Sequence, residues 1–284
     1  MEQKVVVGLG EVLWDMFPTG PQFGGAPANF AGAAARELGT GAKVEMVSAV
    51  GPDALGTEAI ATLKRRGVGV NGVQVGELPT GQVLVTLDAH GQATYRFADQ
   101  QAWDEIHWSA NLDDLARRCD VVCFGSLAQR NPVSRGTIEK FLSIAQQAYR
   151  LFDINIRPPH FSVEVALAGM RLANVAKLNE DELPVVGSLI EARGDWREVA
   201  RQVQKGFDLE YLAVTRGAEG ALLLSAREEH FAAAPKIDVI STVGAGDAYA
   251  AALVAGILAR QSVPEINQRA IRLAADVCCQ TIGY

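Results

Sequence analysis

The chain has 284 residues, 49% of them hydrophobic and 21% charged, with a formal net charge of −7 at pH 7. That length admits one large α/β domain or two small ones with an ample core. The acidic balance, without a long basic run, argues against a general nucleic-acid binder while leaving room for a locally positive phosphate site. No apolar stretch is long enough to span a bilayer. The start, Met1-Glu2-Gln3-Lys4 followed by Val5-Val6-Val7, lacks the basic segment, apolar core and cleavage site of a secretory signal. Cys119, Cys123, Cys278 and Cys279 make no disulfide framework in a chain this large and are expected to pack in the core. His90, His107, His160 and His230 are too scattered for a metal site. These features describe a soluble protein expected in the cytoplasm.

The first strand is predicted at 5–8. Gly8-Leu9-Gly10 follows it and begins like a dinucleotide fingerprint, but Leu13 stands where the third glycine is needed. No glycine is followed by lysine anywhere, so a P-loop is excluded. Glu11-Val12-Leu13-Trp14-Asp15 then puts carboxylates just beyond the strand's C-terminal end, where open α/β sheets bind ligands. Gly24-Gly25-Ala26-Pro27-Ala28-Asn29 leads into a helix predicted at 28–38; its glycines allow close approach of a ligand. Asp15 and Asn29 suit sugar hydroxyls as a pair, although each alone also reads as a capping residue.

A strand at 44–50 and a helix at 57–66 follow. Segments 81–87 and 92–97 alternate polar and apolar residues around a glycine-containing turn at 88–91, a hairpin that fits either a meander at a sheet edge or a flap over a ligand. Further on, strands are predicted at 121–124, 151–154, 175–178, 211–215 and 221–224, and helices at 134–149, 195–205, 245–260 and 264–281. Strand–helix alternation implies one α/β domain with a mostly parallel sheet and helices on both faces.

The polar residues gather at strand ends. Asp153-Ile154-Asn155-Ile156-Arg157 closes one strand, and Arg157 suits either a charged ligand or a surface ion pair. Asn179-Glu180-Asp181-Glu182 closes the next, as Mg²⁺ donors acting through water or as a capped helix start. Thr215-Arg216-Gly217-Ala218-Glu219-Gly220 offers a tight turn against a nucleotide, or a plain β-turn. The last loop, Ser241-Thr242-Val243-Gly244-Ala245-Gly246-Asp247, runs into a long apolar helix. Unpaired amides and the helix dipole make such a start an anion site. A carboxylate beside it suits phosphoryl transfer to a hydroxyl, with the amides holding charge and Asp247 taking the proton. The bland possibility is a glycine turn with Asp247 as a cap. Six such loops at strand ends favour the catalytic reading. The helix N-terminus is expected to keep Asp247 ionised at neutral pH.

In this order the motifs resemble those of the ribokinase/PfkB family of carbohydrate kinases. Gly24–Asn29 is similar to the family's N-terminal signature and Ser241–Asp247 to its C-terminal one, with Asn179-x-x-Glu182 and Thr215-x-Gly217-x-x-Gly220 between them. The resemblance implies a ribokinase-like α/β fold across 1–284, with a small, discontinuous β lid at about 13–24 and 80–100. It implies ATP and Mg²⁺ as cofactors, a sugar and ATP as the small-molecule partners, no nucleic acid or membrane partner, and room for a homodimer joined through the lid. Carried over by residue, Asp247 is the catalytic base and Gly244, Ala245 and Gly246 the anion hole. Asp15, Gly24, Gly25, Asn29, Phe97, Asn155 and Arg157 bind the sugar. Thr215, Gly217 and Gly220 face the nucleotide, and Asn179 and Glu182 hold Mg²⁺ through water. Gly10-Glu11-x-x-x-Asp15, Gly24–Asn29 and Asp153-x-Asn155-x-Arg157 look most like fructokinases, implying conversion of D-fructose to fructose 6-phosphate. 2-Keto-3-deoxygluconate kinases share much of the pattern. Phosphorylation of ribose or a related sugar, or non-catalytic binding of a sugar or nucleotide on the same fold, also stays open. Ser241 stands where the family commonly has an Asp that in several members helps hold a monovalent cation, so K⁺ is implied only in part.

Overall fold

The computed structural model of the chain describes residues 3–87 and 93–279. The turn predicted at 88–91 and the end of the helix predicted to reach 281 lie outside them. The strands are β1 (Lys4–Leu9), β2 (Leu13–Phe17), β3 (Gly20–Gly24), β4 (Ala42–Val50), β5 (Gly69–Val75), β6 (Gly81–Leu87), β7 (Ala93–Phe97), β8 (Val121–Gly125), β9 (Tyr149–Asp153), β10 (Val175–Asn179), β11 (Tyr211–Thr215), β12 (Ala221–Ser225) and β13 (Glu229–Ala232). The α-helices are α1 (Ala26–Leu38), α2 (Ala54–Arg65), α3 (Ala110–Arg118), α4 (Pro132–Ile144), α5 (Val163–Leu172), α6 (Glu182–Ser188), α7 (Trp196–Gly206), α8 (Ala245–Leu258) and α9 (Val263–Cys278).

Nine strands form the main sheet in the order β13-β12-β11-β10-β9-β8-β1-β4-β5. Those from β11 to β5 are parallel; β12 is antiparallel to β11, and β13, antiparallel to β12, returns to the common direction. The chain leaves β1 towards β4 and β5, then crosses back to β8 on its other side. The strand order therefore reverses between β1 and β8, which places a crevice at their C-terminal ends. Side chains alternate along each strand and fill two cores. Val5, Val7 and Leu9 of β1 join the helices α3–α7, whereas Val6 faces α1, α2, α8 and α9. Burial on both faces explains why these strands read as unbroken apolar runs.

A second sheet of four strands, β3-β2-β6-β7, stands beside the crevice. β2 pairs antiparallel with β3 and parallel with β6, so two distant stretches of chain build one small sheet. Trp14 ties it to the main body through Nε1, which donates to the Leu55 carbonyl at 3.1 Å.

Two sequence expectations need correction. The helix predicted at 134–149 stops at Ile144, because Nη1 of Arg150 takes the carbonyls of Ala145, Gln146 and Ala148, at 3.4, 2.9 and 3.3 Å, and Tyr149 already belongs to β9. Cys119 and Cys123 are buried as expected, but Cys278 is half-buried and Cys279 exposed, since both fall at the end of α9.

Candidate active site

The crevice at the strand ends opens into a cavity of about 900 Å³. Its walls include Asp15, Gly25, Asn29, Phe97, Asn155, Arg157, Asn179, Thr215, Gly217, Gly220, Gly244, Ala245, Gly246 and Asp247. Two of the expected site residues are absent from the wall, Gly24 and Glu182. Gly24 acts by what it lacks: a Cβ there would lie 2.6 Å from Oδ2 of Asp15. Glu182 is buried, and its carboxylate accepts from the amides of Ile156 at 2.9 Å and Asn179 at 2.8 Å. These two bonds fix the adjoining loops to each other and leave a lone pair on each oxygen.

The start of α8 is built as an anion-binding end. Gly244 takes a left-handed conformation at φ 81°, which a side chain would disfavour, and turns the chain into the helix. The Ala245 amide is engaged with the Thr242 carbonyl at 3.3 Å. Among the described residues the amides of Gly246 and Asp247 have no partner, so these two, rather than that of Ala245, are free to meet negative charge. Ser241 turns inward on its own loop, its Oγ accepting from the Val243 amide at 3.2 Å.

Asp247 lies in the first turn of α8, hydrogen-bonded by the Asn29 side chain. Burial pushes its carboxyl up from 3.8 to about 7, and Asp153 adds to the rise; Lys177, Asn29 and Arg157 oppose it. The expectation of a fully ionised Asp247 at neutral pH is thus corrected. The loss of hydration outweighs the helix N-terminus, and the group sits near half-ionisation. Glu11, from the loop after β1, behaves alike: burial raises it to about 7, and its Oε2 has no hydrogen-bond partner. Burial also raises Asp15, on β2, to about 6, with Arg157 opposing.

At the end lined by Asp15, Phe97, Asn155 and Arg157, the small sheet forms the wall. Phe97 stands edge-on to His160 with ring centroids 5.5 Å apart. Arg157 is exposed and has no ion pair within 4.0 Å among the described residues. Ala218, Pro235, Ile237, Val239, Ile271 and Ala274 add apolar surface to the cavity wall that Thr215 and Gly217 share. Gly220, at φ 124°, could not accept a side chain, because a Cβ would meet the Ala232 carbonyl oxygen.

The sequence reading passed over Lys177. It stands inside β10 with its Nζ 2.9 Å from both oxygens of Asp153. The available signal was a lysine in the apolar run Val175-Ala176-Lys177-Leu178, since a buried lysine requires a partner.

Residues 18–283 match the pfkB family carbohydrate kinase. The chain belongs to that family. A fructokinase of Klebsiella pneumoniae is 32% identical over 299 residues, spanning 100% of this chain and 92% of its own. Among solved structures, a fructokinase of Xylella fastidiosa with bound ATP superposes at a TM-score of 0.84 and 22% identity, covering 99% of this kinase and 94% of that chain. An aminoimidazole riboside kinase of Salmonella enterica, complexed with aminoimidazole riboside and an ATP analogue, gives 0.77 at 23% identity, covering 97% and 92%. The kinase therefore has the ribokinase-like fold, as its motifs implied. Among its described residues no helix is long and apolar enough to cross a membrane.

Proposed function

We propose that this carbohydrate kinase transfers the γ-phosphoryl group of ATP to a hydroxyl of D-fructose, giving fructose 6-phosphate. One observation carries the reading: Asp247 lines the same cavity as Asp15, Asn155, Arg157, Thr215 and Gly217, beside the unpartnered amides of Gly246 and itself. The sugar lies against Asp15, Asn155 and Arg157 under Phe97, and the adenine fits the apolar surface of the wall that Gly217 shares. Asp247 takes the proton of the attacking hydroxyl, and its value near 7 suits a base working at neutral pH. The two amides meet charge on the transferring group, so catalysis is mainly positioning and electrostatics. The small sheet acts as a lid that keeps water from competing as acceptor.

Mg²⁺ enters with the nucleotide and would neutralise phosphate charge. The described residues include no cluster of three or more His, Cys, Asp or Glu able to cage a metal ion. Oδ1 of Asn179 is taken up by the amides of Asp181 and Glu182, each at 2.9 Å. The carboxylates of Glu180 and Asp181, on the cavity wall, are left to hold an ion through its waters.

Fructose as substrate draws its support from the fructokinase relatives and the Glu11–Asp15 and Asp153–Arg157 motifs. A second reading, 2-keto-3-deoxygluconate, is favoured by Arg157, whose guanidinium stands ready for a carboxylate. ADP release with MgATP, measured over fructose, ribose, 2-keto-3-deoxygluconate, tagatose and nucleosides, separates these. Preference for fructose with phosphate on its 6-hydroxyl supports the proposal. Preference for the acidic sugar transfers it to the second reading, and no stimulation by any sugar points to a non-catalytic binding protein.

A further inference from the structure

Under the start of α8 lies a pair of charges that the transfer described above does not use. Asp153 ends β9 and Lys177 lies opposite it in register on β10. Both are buried, and two bonds of 2.9 Å join Nζ to the two carboxylate oxygens. Nζ lies 3.0 Å from where a Cβ on Gly246 would be, so the ammonium group is packed against the backbone of the anion-binding turn. Its bonds to Asp153 leave one ammonium hydrogen over. Two charges withdrawn from water are a poor way to stabilise a sheet, because apolar side chains of similar volume commonly do as well or better. The pair therefore calls for a role in the site it underlies.

We propose that Lys177 is a positioning residue for phosphoryl transfer: paired with Asp153, it seats the Gly246 turn and holds its positive charge next to the residue that follows, Asp247. The proposal rests on the reading of Asp247 as the base. The charged and titratable groups acting on Asp247 come from several elements: Asp153 from β9, Lys177 from β10, Arg157 from the loop after β9, Glu11 from the loop after β1 and Cys123 from β8. Asp153 and Lys177 act on it in opposite senses, the first favouring the protonated form and the second the ionised one. Damage to one ion pair should thus move Asp247 in opposite directions, depending on which partner is lost.

The test compares Lys177→Met with Asp153→Asn. Two readouts are followed: the acid limb of kcat/KM for the sugar, and the titration of the Asp247 carboxyl in the free protein. The second uses ¹³Cγ-aspartate NMR, with the resonance assigned by its loss in Asp247→Asn. Lys177→Met is expected to raise the Asp247 midpoint. A rise of about one unit takes the ionised fraction at pH 7 from about one half to about one tenth, a roughly fivefold loss that is recovered above pH 9. Asp153→Asn is expected to lower the midpoint, and Lys177→Arg, which keeps the charge, to leave it close to wild type. Shifts in the same direction for both variants, or no shift in either, overturn the proposal in favour of a structural role. If only one variant folds, the direction of its shift decides. A wild-type protein that phosphorylates no sugar, or an Asp247→Asn protein of normal turnover, removes the proposed function instead, while the NMR titration still reports on the pair.

Discussion

Glu11→Gln tests the electrostatics of the cavity without using its chemistry. The carboxyl is moved by burial from 4.5 to about 7. Because the folded value is the higher one, this group's contribution to stability is complete below pH 4.5 and is lost as pH rises through about 7. Integrating the two titrations gives a loss of about 2.5 kcal/mol between pH 5 and pH 8.5. Asp15 and Asp247, also raised, lose stability over the same range, whereas His160, held low by burial and Arg130, acts in the opposite sense. All three are common to the wild type and the variant. The difference between the two proteins therefore reports Glu11 together with its repulsion of Asp247. Glutamine in place of the carboxylate puts a neutral polar atom where Oε2 has no partner, costing about 1–3 kcal/mol at every pH. The diagnostic quantity is accordingly the slope and not the absolute stability. Urea unfolding of the free protein at pH 5.0, 7.0 and 8.5 should find the variant gaining about 2.5 kcal/mol on the wild type from the first pH to the last. A gap that stays constant across these three values refutes the reasoning, because Glu11 would then be hydrated or paired in the folded state.

Three further outcomes are expected. Asp247→Asn should lose roughly 10²- to 10⁴-fold in turnover with sugar affinity by calorimetry largely kept; near-normal turnover removes Asp247 as the base. Tyr249→Phe deletes the hydroxyl that donates to Oδ1 of buried Asn267 at 2.7 Å. It should cost about 1–3 kcal/mol in chemical denaturation, and an unchanged midpoint would mean that another donor replaces it. Gly220→Ala drives a Cβ onto the Ala232 carbonyl at φ 124°. Backbone strain alone should cost about 1–3 kcal/mol, and KM for ATP should rise more than KM for sugar; equal rises would detach this turn from the nucleotide.

The fold was legible because period and order agree over most of the chain. β1, β10 and β11 are short apolar runs ending in polar loops, and those loops line one cavity as their order suggested. What escaped the reading was short or weakly patterned. β13 and α6 are four and seven residues long, too brief for a period to declare itself. α3 was missed although Ser109 caps it through the Leu112 amide at 3.4 Å. In the site, residue types were readable but their protonation was not. Asp247 has a helix start beside it in the sequence, but the burial that outweighs the dipole, and the charges of Asp153 on β9 and Lys177 on β10 that act with and against it, arise only in the fold. The surroundings of Glu182 were hidden for a related reason: its partners, the amides of Ile156 and Asn179, belong to two different loops.

The parallel pairing of β2 with β6 has a consequence for evolution and engineering. The small sheet is stitched from one stretch that follows β1 and another that follows β5, with α1, β4 and α2 between them. It is therefore not a cassette. Excising 80–100 would leave β2 with an unpaired edge, open to association with other chains, and excising 13–24 would strand β6 in the same way. Transplanting the sheet between relatives requires both stretches to move together, in matching register.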